Sequence, residues 1–208
     1  MRQIYLISKP QINDLDHFAK NLESAFATNE ISIFQLRLKN VKDSVWIESA
    51  KIAKQICKDY NVKFIINDRS DLINEINPDG IHLGQSDGDI ISIRKQYGDK
   101  FIIGRSCYDS KEFAQIAEKD QASYVAFGTF FLSKSKEQIY KPQKEIINWA
   151  KSNLKVKICA IGGLYSHNIN YFDGFMPDYF CFISAIWDED NIQDAVNKIA
   201  DQIKLLKK

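Results

Sequence analysis

No CxxC pair and no Cys/His cluster occurs in this chain. Cys57, Cys107, Cys159 and Cys181 stand far apart, which excludes a zinc ribbon or a disulfide framework as the organising feature. No run of about 18 apolar residues is present, so no membrane span is expected. The opening MRQIYLISKP lacks the long apolar core of a secretory signal, and a cytoplasmic protein is expected. Neither GxGxxG nor GxxxxGK(S/T) occurs, so the usual nucleotide-binding loops are missing. An excess of charge of one sign is missing too: 28 Lys and Arg against 27 Asp and Glu give a formal net charge of +1. Such a balance gathers neither nucleic acid nor an anionic membrane, and any anion must be held by a local site. No linker, low-complexity tract or composition break divides the 208 residues, and one domain over 1–208 is expected.

What is present is a repeat of form rather than of letters. Short β-branched or aromatic runs fall at 3–8, 32–38, 63–67, 80–83, 101–106, 124–127, 157–160 and 179–183. Stretches with helical spacing fall between and after them, at 14–26, 44–60, 69–76, 89–97, 109–119, 144–154, 165–172 and 191–206. In 44–60, Val45, Ile52, Ala53, Ile56 and Tyr60 form an apolar stripe with the small Ser49 in its gap, and Ile47 lies off it. The strands are nearly continuous apolar runs, as when both faces are covered. Eight βα units in a row predict an α/β fold of the closed (β/α)8, or TIM, barrel type, with an open doubly wound sheet as the structural alternative. The chain is short for such a barrel, which typically has about 250 residues.

In this architecture the reacting groups lie where strands end and βα loops begin. Gln35, Arg37 and Lys39 come at the end of strand two, and Asn67 and Asp68 at the end of strand three. Gln85 and Asp87 follow strand four, Ser106 ends strand five, and a polar segment with Ser133, Lys134, Ser135 and Lys136 follows strand six. Gly162 and Gly163 follow strand seven, and Ile183 and Ser184 close strand eight.

Each cluster has a functional and a bland reading. In QLRLK, alternation puts Gln35, Arg37 and Lys39 on one side of the strand. Two cations turned toward a barrel interior are costly unless an anion meets them, and a pyrophosphate would do so; the bland reading is a solvated edge strand. Asp68 and Asp87, just past neighbouring strands, have the hard oxygen chemistry of a Mg2+ site; the bland reading is a pair of helix N-caps, a use open to Asp71 and Asp89 as well. His82, inside strand four, reads as a hydrogen-bonded core residue. In GTFFLSKSK (128–136) the hydroxyls of Ser133 and Ser135 and the charge of Lys136 suit phosphate oxygens, against the bland reading of a surface loop. Phosphate sites in this fold are often built from the loops after strands seven and eight, where IGG and ISA stand here; a mere turn is the alternative for the glycine pair. Two anion sites follow, one at strands two to four with the metal, one at strands seven and eight. Small phosphorylated molecules are the expected partners, with neither nucleic acid nor membrane, and a homo-oligomer stays open.

QLRLK, INDRSDL, PDGIHLGQSD, AFG with SKSK, AIGG and ISA occur in an order and spacing that resemble the thiamine phosphate synthase family over essentially the whole chain. The resemblance implies that Gln35, Arg37, Lys39, Asn67, Ser106 and Lys136 bind hydroxymethylpyrimidine pyrophosphate and that Asp68 and Asp87 bind Mg2+. It further implies that Ser133, Lys134, Ser135, Gly163, Ile183 and Ser184 hold a thiazole phosphate. Arg37, Lys39 and Lys136 would stabilise the leaving pyrophosphate. The chain departs from the family at Leu132, Ser133 and Ser135, where threonines and a proline are usual. It departs again at Arg105 and Tyr108, where a small apolar residue and a histidine are common. The sister group of thiazole tautomerases relies on that histidine, and a non-catalytic phosphate binder is the other alternative. Retention of Arg37, Lys39, Asn67, Asp68 and Asp87 favours the synthase.

Overall fold

The computed structural model describes residues 3–132 and 141–207. Eight strands, β1 (Ile4–Ile7), β2 (Ile31–Leu36), β3 (Lys63–Asn67), β4 (Gly80–Leu83), β5 (Ile102–Tyr108), β6 (Tyr124–Phe127), β7 (Lys157–Ile161) and β8 (Tyr179–Phe182), close into one barrel in chain order. Every neighbouring pair is parallel, β1 with β8 included. The expected α/β (β/α)8 barrel is the fold, and the open-sheet alternative is excluded. Among the described residues the helices are α1 (Leu15–Phe26), α2 (Asp43–Asp59), α3 (Ile73–Ile76), α4 (Ile90–Tyr97), α5 (Lys111–Lys119), α6 (Glu145–Asn153), α7 (Ser184–Trp187) and α8 (Ile192–Leu205). None is long and apolar enough to cross a membrane.

Alternation along each strand sorts the core into two layers. Outward residues such as Ile4, Leu6, Phe34, Leu36, Phe64 and Ile66 pack beneath the helices. Inward residues Tyr5, Ile7, Ile33, Ile65, Tyr124, Ala126, Cys159 and Cys181 fill the barrel. On α2 the buried face runs through Trp46, Ser49, Ala50, Ala53, Ile56 and Cys57, rotated slightly from the Val45, Ile52 and Tyr60 stripe. Trp46 is the bulkiest apolar group on the helix, and small Ala50 and Ala53 let the backbone approach the barrel beside it.

Three helical segments differ from the sequence expectation. The segment 69–76 starts as a 3-10 turn, Ser70–Leu72, and ends at Asn77, whose φ of 50° is the left-handed stop of a short helix. The segment 165–172 keeps only a 3-10 turn at Ile169–Phe172. The Asn168 side chain there accepts from the Tyr165 N–H and donates to the Gly163 carbonyl, both at 2.9 Å, a local bonding pattern that competes with a helix. A short helix, α7, follows β8 where none was expected.

Candidate active site

A cavity of about 470 Å³ opens at the carboxyl ends of the strands, within the size range of small-molecule sites. Gln35, Arg37, Lys39, Asn67, Asp68, Asp87, Ser106, Gly163, Ile183 and Ser184 all line it. Ser133, Lys134, Ser135 and Lys136 lie outside the described residues.

β2 ends at Leu36, so Arg37 and Lys39 stand beyond the strand rather than on it. The alternation still carries through: Leu36 is buried beneath the helices and Leu38 packs against that layer, while Arg37 and Lys39 turn to the cavity. The β1 loop fixes this extension, since the Arg37 N–H donates to Ser8 Oγ at 2.8 Å and the Lys39 N–H to the Pro10 carbonyl at 2.8 Å. Burial lowers the Arg37 pKa from its ordinary value, and the negative charge of Asp68 offsets part of that effect.

Asp68 has a φ of 61°, a left-handed turn that Asp tolerates better than most residues. Its Oδ1 accepts from the Gly84 N–H at 3.3 Å and its Oδ2 from the Asn67 amide at 2.5 Å. A Cβ placed on Gly84 would lie 2.3 Å from Asp87 Oδ2, so the two carboxylates flank the Gly84 backbone. Burial and then the charge of Asp87 raise the Asp68 pKa, against the pull of Gly84, Asn67 and Arg37. Neither acid caps a helix. The α4 cap is Asp89, which accepts from the Ser92 N–H at 2.8 Å, and Asp71 is ion-paired with Arg69 at 2.8 Å. Among the described residues no three His, Cys, Asp or Glu side chains gather as a metal cluster. Mg2+ asks for less, taking one or two carboxylates and keeping waters or substrate phosphates for the rest. Two acids on either side of the Gly84 backbone, with the charge of Asp87 felt at Asp68, fit that ion.

At the other side of the mouth, Gly162 and Gly163 have φ of 103° and 62°, a path that L side chains rarely follow. A Cβ on Gly163 would meet the Leu132 carbonyl at 2.6 Å, so the loop after β6 lies directly on this turn. The pair is therefore required by both conformation and close approach.

Below the mouth lies a polar set that the sequence reading missed in part. Tyr5, His82 and Tyr124 line the cavity floor, with the two tyrosines fully buried. Burial pushes both phenol pKa values up, so both stay neutral hydrogen-bonding groups. His82 is hydrogen-bonded as expected of a core histidine, and it also faces the cavity. Period-two counting along strands one and six, together with the rule that a buried tyrosine hydroxyl needs a partner, was the signal for Tyr5 and Tyr124.

Cations and carboxylates thus converge at the carboxyl ends of the strands of a closed barrel, the face on which enzymes of this fold carry their active sites. A family model described as thiamine monophosphate synthase matches residues 4–186, and the chain belongs to that family. It is 34% identical over 198 residues to a thiamine-phosphate synthase of Pelagibacter ubique, covering 94% of this chain and 95% of that one. It is 31% identical over 186 residues to a thiamine-phosphate synthase of Rhodospirillum centenum, covering 89% of each. Among solved structures, the thiamine phosphate pyrophosphorylase of Pyrococcus furiosus superposes with a TM-score of 0.82 at 23% identity, over 98% of this chain and 96% of that one. An orotidine 5'-phosphate decarboxylase of Pyrococcus horikoshii shares the fold alone, with a TM-score of 0.70 at 16% identity over 96% of this chain and 99% of the other.

Proposed function

We propose that the protein condenses hydroxymethylpyrimidine pyrophosphate with thiazole phosphate, giving thiamine phosphate and pyrophosphate. The observation that carries this reading is one cavity in which Arg37 and Lys39 share the mouth with Asp68 and Asp87, in a chain of this family. Asp68 and Asp87 would hold Mg2+, whose bound charge offsets that of the departing pyrophosphate. Arg37 offers a planar fork to phosphate oxygens and Lys39 a point charge. Both act most strongly where negative charge grows on the leaving group, in a partly water-excluded site. Gln35, Asn67 and Ser106 line the same cavity and orient the pyrimidine pyrophosphate. Gly163, Ile183 and Ser184 line it on the loops after β7 and β8, where backbone N–H groups suit the thiazole phosphate. The attacking thiazole nitrogen carries no proton, so no general base is required of the chain.

Ser133, Lys134, Ser135 and Lys136 enter this proposal through the family resemblance, Lys136 toward the pyrophosphate and Ser133, Lys134 and Ser135 toward the thiazole phosphate. Tyr108 at the mouth supplies no imidazole for a tautomerase reaction. Cys57, Cys107, Cys159 and Cys181 are buried free thiols, which supports a reducing, cytoplasmic setting. Incubation with both substrates and Mg2+ tests the reading: thiamine phosphate and pyrophosphate should form in equal amounts. Isomerised thiazole phosphate without pyrophosphate would identify a tautomerase, and binding without any product a non-catalytic paralogue. Lys136→Ala should lower kcat by the equivalent of about 2–4 kcal/mol, as loss of a comparable transition-state donor does, with little change in thiazole phosphate binding.

A further inference from the structure

The barrel floor holds a hydrogen-bonded chain that crosses five strands' worth of side chains. The Gln35 amide nitrogen donates to the Tyr5 hydroxyl at 2.7 Å. The Tyr5 hydroxyl lies 2.7 Å from the Tyr124 hydroxyl, which lies 2.9 Å from His82 Nδ1. His82 Nε2 lies 2.9 Å from Ser106 Oγ. Gln35, on β2, is only 2% exposed, and Tyr5 and Tyr124 are 1% and 2% exposed, so these groups find their hydrogen-bond partners in one another.

Each hydroxyl has a single hydrogen, and that makes the chain directional. Tyr5 accepts from Gln35, so its hydrogen goes to Tyr124. Tyr124 accepts from Tyr5, so its hydrogen goes to His82 Nδ1. A neutral imidazole that accepts at Nδ1 carries its own hydrogen on Nε2 and gives it to Ser106 Oγ. Ser106 has then accepted, and its hydrogen meets no acceptor among the described residues. Ser106 faces the cavity. We infer that Tyr124 is a positioning residue for the reaction, locking His82 as the Nε2–H tautomer and thereby aiming the Ser106 hydroxyl hydrogen into the cavity, where it meets an acceptor atom of the substrate.

The backbone is built for this reach. Tyr124 is on β6 and His82 on β4, with β5 between them. Gly104 on β5 is the register partner of both His82 and Tyr124. A Cβ at Gly104 would sit 2.0 Å from Tyr124 Cζ, so only glycine lets the phenol cross β5 to the histidine. The two rings then stack with centroids 5.6 Å apart.

Two measurements on the full chain test the inference. The first reads the tautomer directly, by long-range 15N–1H NMR of the three histidines, with His82→Asn identifying the His82 signals. Wild-type His82 should show its proton on Nε2; a proton on Nδ1, the state in which a turned-over Gln35 amide reverses every bond, would overturn the inference. The second is a kinetic cycle, and it rests on the proposed synthase reaction. Tyr124→Phe keeps the ring, removes the hydroxyl, and should lower kcat/KM about fivefold, the effect of one neutral hydrogen bond. In a Ser106→Ala background the same change should cost less than about twofold, because the hydroxyl it aims is gone. Equal losses in both backgrounds would reduce Tyr124 to a packing residue and sink the proposal. Should Tyr124→Phe not fold, the tautomer read by NMR on the wild-type protein decides the inference by itself. A wild-type protein without turnover would count against the synthase reading, and the NMR result then decides the tautomer by itself.

Discussion

Asp68 is the residue whose environment works most plainly against its charge. Burial and the neighbouring Asp87 raise its pKa, so the folded protein holds this proton more tightly than the unfolded chain does. Stability contributed by the group is therefore present below the unfolded carboxylate value of about 3.9 and falls as pH rises through the higher folded value. At neutral pH without Mg2+ the cost is in full force. Asp68→Asn removes it, so thermal unfolding should give the variant a higher Tm than wild type near about pH 7 and an equal one near about pH 3. The group is partly exposed, and the gain should stay under ~1 kcal/mol. Turnover should be lost in Asp68→Asn and Asp87→Asn alike while both remain folded. A helix cap behaves the other way, since its removal costs about 0.5–2 kcal/mol of stability and spares the chemistry.

Among the elements, the loop from β4 to α4 shows how neighbours shape a site. Arg105 on β5 donates to the Gly84 carbonyl at 2.5 Å and to the Gly88 carbonyl at 3.1 Å, bracketing the turn that carries Asp87. Gln85 reaches the other way, donating to the Ser106 carbonyl at 2.5 Å. Arg105 departs from the small apolar residue common in the family, and here it clamps the loop. Arg105→Met should weaken Mg2+ binding about tenfold, the size usual for supports behind a metal ligand, as measured by calorimetry on the protein without substrate. An unchanged affinity would mean that Gln85 and the turn bond from the Asp87 N–H to the Gly84 carbonyl, at 3.3 Å, suffice.

For the whole molecule, the cavity draws on the ends of all eight strands, from Ile7 at the end of β1 to Ser184 after β8. A ligand held there ties distant parts of the chain together and binds only the closed barrel. Mg2+ with pyrophosphate at a hundredfold excess over Kd should stabilise the fold by ~2.7 kcal/mol. For a chain of this size that is a rise in Tm of several degrees, about 2–4 °C per kcal/mol. Differential scanning fluorimetry should show this rise for wild type and lose most of it for Asp87→Asn. A shift of the same size in both would place the anion elsewhere.

Sequence periodicity was enough for the eight strands and their order, because strands covered on both faces are apolar throughout and stretches of helical spacing alternate with them. Period-two counting also turns Gln35, Asn67, Ser106 and Ile183 inward, and they line the cavity, while Ser133, Lys134, Ser135 and Lys136 lie outside the described residues. What stayed illegible depended on contacts across the barrel. Strand two stops at Leu36 because the β1 loop takes over the hydrogen bonds of Arg37 and Lys39. The helix expected at 165–172 shrinks to a turn because Asn168 satisfies Tyr165 and Gly163 instead. The tyrosine and histidine chain forms because Gly104 leaves room above β5, and no local pattern in the sequence announces which ring will fill it. Local sequence determined the order and facing of the elements, since that is a matter of period and polarity along the chain. Tertiary structure decided which polar groups meet, since residues as far apart as Tyr5 and Tyr124 come within 2.7 Å only when the barrel closes.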